Sequence, residues 1–185
     1  MEKQTKKYNA APLGLLGFGM TTVLLNLYNS GIMKELSLVI IAMGIALGGL
    51  AQIVAGILEY KKDNTFGGTA FTAYGFFWLS FVIIKLSGPK TGLEATMTDM
   101  GYYLLLWGIF TAFMTIGTIK HNTISKLVFG SLTLLFFLLA IGDFAQSTLI
   151  TNIAGYVGII CGLFAIYDGV AQIVNNEFGE KILPL

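Results

Sequence analysis

Long apolar stretches alternate along this chain with short polar connectors, and six of the stretches are of membrane-spanning length: about 13–28, 36–58, 66–86, 100–119, 124–142 and 149–174. Each is close to the ~20 residues that cross a ~30 Å hydrocarbon layer. They must be helical, because lipid offers no partner to a free backbone N–H or C=O, and the ten-residue alternation of a membrane barrel is absent. The connectors leave no room for a soluble domain. The pattern therefore predicts an all-α membrane protein, a single six-helix transmembrane domain over 1–185.

Polar and small residues inside the stretches fall at helical spacings. In the second, Gly44, Gly48, Gln52 and Gly56 recur every four residues and form one stripe, against which either another helix or a pore must lie. In the first, Gly14, Phe18, Thr21, Thr22 and Leu25 share a face; in the third, Thr65, Thr69 and Thr72 do. Threonine hydroxyls often bond back to their own helix, but two helices with clustered hydroxyls also offer a ladder for a small carboxylate or its acid. Asn9 and Pro12 suit the start of the first helix, whose free N–H groups attract anions. Asp168 is the one carboxylate well inside a span, with Gln172 one turn further on the same face. It is a candidate either for handling a proton or for bonding a neighbouring helix.

Composition agrees with the pattern: 55% of residues are hydrophobic and 11% charged, and the mean hydropathy is +0.77. A net charge of +1 implies no nucleic-acid partner; the implied surroundings are a lipid bilayer. The basic N-terminus leads into a multi-span chain without a clear cleavage site, so it is not read as a signal peptide. All the cations outside the single histidine are lysines. Lys3, Lys6, Lys7, Lys61, Lys62, Lys120, Lys126 and Lys181 lie on the side of the N-terminus, against Lys34, Lys85 and Lys90 on the other, which places both termini in the cytoplasm. One histidine, His121, in a loop, and one cysteine, Cys161, in an apolar run, assemble no catalytic constellation and no metal site. Neither an enzyme nor a cofactor is expected.

The run Asn9-Ala10-Ala11-Pro12-Leu13-Gly14-Leu15, followed by Gly17-Phe18-Gly19-Met20-Thr21-Thr22, resembles the NPAPLGL signature of the acetate uptake transporter family, which includes the bacterial succinate–acetate permeases. The likeness covers nearly the whole chain, including Leu58-Glu59-Tyr60-Lys61-Lys62, Asn64-Thr65-Phe66-Gly67 and Leu106-Trp107-Gly108. It implies six helices per protomer, a ring-shaped homohexamer, and one pathway per protomer for acetate and related small carboxylates such as succinate. It further implies a constriction at Phe18, Tyr74 and Leu132, and an influence of Ala165 on which carboxylates pass. Three features depart from the family pattern. The first proline of the signature is Ala10, a glutamate expected in the sixth helix is Gln172, and Asp168, a turn earlier, stands where an apolar residue is expected.

Because no cation is placed deep in the bilayer, and Lys85 can snorkel from a helix end, hydroxyls, the Gln52 amide and helix-start N–H groups must solvate whatever passes. Asn9, Thr21, Thr22, Gln52, Thr72 and Ala165 are the candidate lining residues. A channel and a proton symporter need the same lining. A channel for another small solute, urea or ammonia, and a membrane assembly protein that carries nothing are the alternative readings.

Overall fold

The computed structural model describes residues 8–185, with the backbone alone described for 88–91. The N-terminal lysines Lys3, Lys6 and Lys7, and the side chain of Lys90, lie outside the described residues. Helix α1 spans Ala11–Asn29. The second span is one continuous rod made of α2 (Leu38–Met43), a π-helix (Gly44–Ala51) and α3 (Gln52–Tyr60). Four longer helices follow: α4 (Thr65–Thr91), α5 (Met97–Gly117) ending in a 3-10 turn, α6 (Thr123–Phe144) and α7 (Thr148–Phe178). Six helical segments are long and apolar enough to cross a membrane.

The helix starts follow local chemistry. Asn64, Thr96, Asn122 and Ser147 each accept a backbone N–H of the turn they open, and Thr96 with Asp99 completes a reciprocal capping box. Gly92 and Gly179 end α4 and α7 at φ 70, a conformation only glycine adopts without strain. Helix α1 is the exception. Its cap position is held by Ala10, and the Asn9 side chain accepts from Ala11 N–H instead (3.2 Å).

The π-helix corrects the four-residue stripe expected in the second span. A π-turn is wider than an α-turn, so Gly44, Gly48 and Gln52 are not stacked on one α-helical line. They are buried nonetheless, Gly44 and Gly48 beneath Trp78 and Gly56 against Thr72. Helix packing, and not a pore, lies against these glycines.

The helices pack in a closed circuit in which α1 meets the second span and α7, α7 meets α6, α6 meets α5, and the second span meets α4. Helices α1 and α7 approach at glycines on both sides: a Cβ on Gly19 would lie 2.7 Å from the Gly162 carbonyl oxygen, and one on Gly162 equally close to that of Gly19. Between α4 and α5, rings close the circuit. Phe77 stacks on Tyr103 (5.6 Å between centroids), and Trp107 meets Tyr74 (6.0 Å) and Phe77 (5.2 Å). Outward faces stay apolar, as lipid demands: Leu106, Phe113, Ile116 and Ile119 on and after α5 are all more than half exposed.

Candidate functional site

Phe18 on α1, Tyr74 on α4 and Leu132 on α6 arrive from three helices at one place. All three are buried, and the Phe18 and Tyr74 rings lie 6.0 Å apart. They wall a cavity of about 20 Å³ together with Leu15, Gln52 and Phe129, which is room for one water-sized body. Tyr74 is held firmly. Its ring is flanked by Trp107, Phe110 and Phe129, and its hydroxyl lies 2.9 Å from Thr111 Oγ1. The single proton of Thr111 goes to the Trp107 carbonyl (2.7 Å), so Tyr74 is the donor to Thr111.

A second cavity, of about 390 Å³, lies in the half of the bundle where α1, α4 and α6 end. Its apolar floor includes Leu25, Phe81 and Leu139, and its rim carries Asn29, Lys85, Asp143 and Gln146. The Lys85 ammonium lies 5.5 Å from the Phe81 ring centre, an attraction between a cation and a π-face.

The two cavities are in register. Phe18 and Leu25, Tyr74 and Phe81, and Leu132 and Leu139 are three pairs separated by seven residues, two turns along one face of α1, α4 and α6 respectively. The layers are therefore about 10 Å apart along the bundle. Seven residues in the other direction bring Ala11, Gly67 and Ser125 to a third layer, where polar side chains meet. Ser125 Oγ donates to Asp168 Oδ2 (3.0 Å), Gln172 Nε2 to Asp168 Oδ1 (2.9 Å), and Asn9 Nδ2 to Gln172 Oε1 (2.8 Å). Lys62 Nζ approaches Asn9 Oδ1 at 3.5 Å and pairs with Glu59 at 3.1 Å, while Asn64 Nδ2 donates to the second Glu59 oxygen (2.7 Å) and Asn64 Oδ1 accepts from Gly67 N–H (3.0 Å). Asp168 and Glu59 are 1% and 2% exposed. Every acceptor oxygen of these two buried carboxylates thus has a partner, as burial of such groups requires.

Asp168 lies ten residues before the end of α7 and, in space, level with the start of α6. It bonds a neighbouring helix. Glu59 enters sequence reasoning only as part of a matching run; Lys62 three residues on, its partner here, was the available signal. Phe71 and Phe129 were likewise missed, because nothing in an apolar stretch distinguishes the phenylalanine that faces a cavity from one that faces lipid.

The other candidates are dispersed. Thr21 Oγ1 donates to Gly17 O of its own helix (2.8 Å), and Gln52 Nε2 to Gly48 O (2.7 Å). Thr22 Oγ1, Gln52 Oε1 and Thr72 Oγ1 are buried with no hydrogen-bond partner among the described residues. Thr69 meets the Tyr60 hydroxyl. Among the candidate lining residues, Gln52 reaches the small cavity, whereas Thr21, Thr22, Thr72 and Ala165 line neither cavity. Of the signature, Pro12 and Gly14 are buried and Leu13 is exposed. Cys161 is buried, its thiol 3.5 Å from Val128 O, and His121 sits edge-on to Phe66. The described residues contain no group of three or more His, Cys, Asp or Glu side chains able to hold a metal ion.

Comparison with known proteins bears on this arrangement. Residues 1–181 match the profile of the GPR1/FUN34/yaaH family. The chain is 54% identical over 183 residues to the succinate-acetate/proton symporter SatP of Escherichia coli K12, covering 98% of this chain and 96% of that one. It is 32% identical over 195 residues to acetate permease A of Emericella nidulans, covering 96% of this chain and 65% of that one. The fold superimposes on a solved structure of the bacterial acetate channel SatP with a TM-score of 0.93, at 54% identity, over 96% of this chain and 98% of that chain.

Proposed function

Because this chain belongs to the GPR1/FUN34/yaaH family, we propose that it carries acetate and related small carboxylates, succinate among them, across a cell membrane. The observation that carries this reading is the register of the two cavities: a vestibule with Lys85 at its rim leads, two helical turns on, to the closure formed by Phe18, Tyr74 and Leu132. Lys85 offers an entering carboxylate one cation at the rim, with the Asp143 carboxylate beside it. At the closure the entering carboxylate meets apolar walls that accept a methyl group and resist a hydrated ion.

Burying a bare carboxylate there is costly unless it is hydrogen-bonded or neutralised. Tyr74 is already committed as a donor to Thr111, and among the described residues the small cavity has no cation on its wall. Passage as the acid, or with a proton taken up beside it, lowers that cost; a channel and a proton-coupled permease both remain served by this lining. The proposed setting is six transmembrane helices with both termini in the cytoplasm, so that the polar layer faces the cell interior, and six protomers arranged in a ring, each with its own pathway.

The test is uptake of labelled acetate into proteoliposomes with and without an imposed pH gradient. Saturable, gradient-driven uptake identifies a proton-coupled permease, and equal flux after correction for the free-acid fraction identifies a channel. Absence of protein-dependent flux refutes the reading, and flux of urea or ammonia that acetate does not compete with would replace it.

A further inference from the structure

Asp168 and Lys62 bracket a run of hydrogen bonds whose direction is fixed at both ends. Lys62 and the Ala11 N–H can only donate, so Asn9 must present its oxygen to them and its NH₂ to Gln172. A carboxylate accepting two hydrogen bonds stands at the other end, so Gln172 presents its NH₂ to Asp168 and its oxygen to Asn9. Neither amide can turn over without losing its bonds, three at Asn9 and two at Gln172. The run ties the start of α1 to α7, and the second Asp168 oxygen ties α7 to Ser125 on α6. Ser125 is two turns from Leu132 along one face of α6, and Asn9 leads directly into the helix that carries Phe18. Two of the three walls of the closure, Phe18 and Leu132, thus sit on helices tied to α7 one layer below it through Asp168.

We propose that Asp168 is a positioning residue that sets the spacing of Phe18 and Leu132, and through it the selectivity of the pathway, by locking α1 and α6 to α7. The proposal rests on the reading of this chain as a carboxylate transporter. It assigns Asp168 no contact with the permeating solute and no proton to carry. Asparagine can replace it, since its oxygen accepts from Gln172 and its NH₂ donates to Ser125 Oγ, whereas leucine breaks both ties.

The experiment compares Asp168→Asn, Asp168→Leu, Ser125→Ala and Gln172→Leu in proteoliposomes, reading the ratio of butyrate to acetate flux and the pH profile of acetate flux. Asp168→Leu is expected to raise the ratio on the order of tenfold, the scale at which an apolar pocket distinguishes added methylenes. Ser125→Ala and Gln172→Leu should each raise it by a smaller factor, and Asp168→Asn should restore the wild-type ratio and profile. If Asp168→Asn fails as Asp168→Leu does, with a flattened pH profile, Asp168 carries protons and the proposal is overturned; an unchanged ratio in Ser125→Ala and Gln172→Leu overturns it as well, even if Asp168→Leu does not fold. Amide hydrogen exchange over residues 9–14 of the purified protein gives a readout independent of transport. It should quicken in Gln172→Leu relative to wild type, and unchanged exchange refutes the lock. A wild-type protein without flux refutes the transport reading instead, so the two failures are distinguishable.

Discussion

Replacing Gly19 with alanine tests the contact that sets α1 against α7. The added Cβ would lie 2.7 Å from the Gly162 carbonyl oxygen and 2.9 Å from the Ile166 nitrogen. Both are backbone atoms, which no rotamer change can move. Restoring ordinary contact at 3.4 Å requires the helices to part by 3.4 − 2.7, about 0.7 Å, at this point. Overpacking of a close-packed interior costs about 1–3 kcal/mol, and alanine returns at most about 1 kcal/mol of helix propensity. With that return the net loss against wild type is about 0–2 kcal/mol, up to a factor of about 30 in the folding equilibrium, and against a glycine whose added methyl meets nothing it is about 1–3 kcal/mol. Gly130→Ala on α6 is the control: it makes the same chemical change where nothing lies within 4 Å, and should be neutral or slightly stabilising. Thermal unfolding of the purified protein in detergent, followed by loss of the monodisperse peak, gives the comparison. Gly162→Ala should resemble Gly19→Ala, and the double variant should cost less than the two single losses combined, because either methyl alone parts the same pair of backbones. Since Phe18 adjoins Gly19, the parted helices should also discriminate less well between acetate and butyrate. A Gly19→Ala protein as stable as Gly130→Ala would refute the reasoning.

Other perturbations reach the remaining layers. Phe18→Ala and Leu132→Ala each remove a wall of the small cavity, and proteoliposome uptake should show the butyrate-to-acetate flux ratio rising on the order of tenfold in each; an unchanged ratio in well-folded variants would remove these residues from the pathway. Glu59→Ala strands the Asn64 amide and the Lys62 head group and should cost about 2 kcal/mol in thermal or denaturant unfolding, whereas Glu59→Gln, which keeps an acceptor for Asn64, should cost about half as much. Thr96→Ala deletes an exposed capping box and should lower stability by about 1 kcal/mol with acetate flux unaltered, as measured by parallel unfolding and uptake assays.

Much of this molecule follows from local physics acting on consecutive residues. Backbone groups in lipid must bond within their own segment, so six apolar stretches meant six spanning helices. Asn64, Thr96, Asn122 and Ser147 accept N–H groups within three residues of themselves, and such caps are recognisable without any knowledge of the fold. The signature around Pro12 was equally available, and it was the family resemblance it carries, not periodicity or spacing, that pointed to Phe18, Tyr74 and Leu132.

Depth, facing and register were decided elsewhere. Asp168 stood well inside its span as a candidate either for a proton or for bonding a neighbouring helix, and only the tertiary structure brings the acid level with Ser125 and hands it to Gln172 and Ser125. The glycine stripe of the second span met Trp78 and Thr72 rather than a pore, and the π-turns within it broke the spacing on which the stripe relied. Thr21 donates its hydroxyl to its own helix, while Glu59, marked in the sequence only by Lys62 three residues on, is among the most completely buried side chains. Axial register between helices arises from contacts between residues far apart in the chain, such as Gly19 against Gly162, and carries no local signal. The amino-acid sequence by itself determined that there would be six helices in a membrane; only close packing in three dimensions placed Phe18, Tyr74 and Leu132 at one height, with a vestibule two turns to one side and a hydrogen-bonded layer two turns to the other.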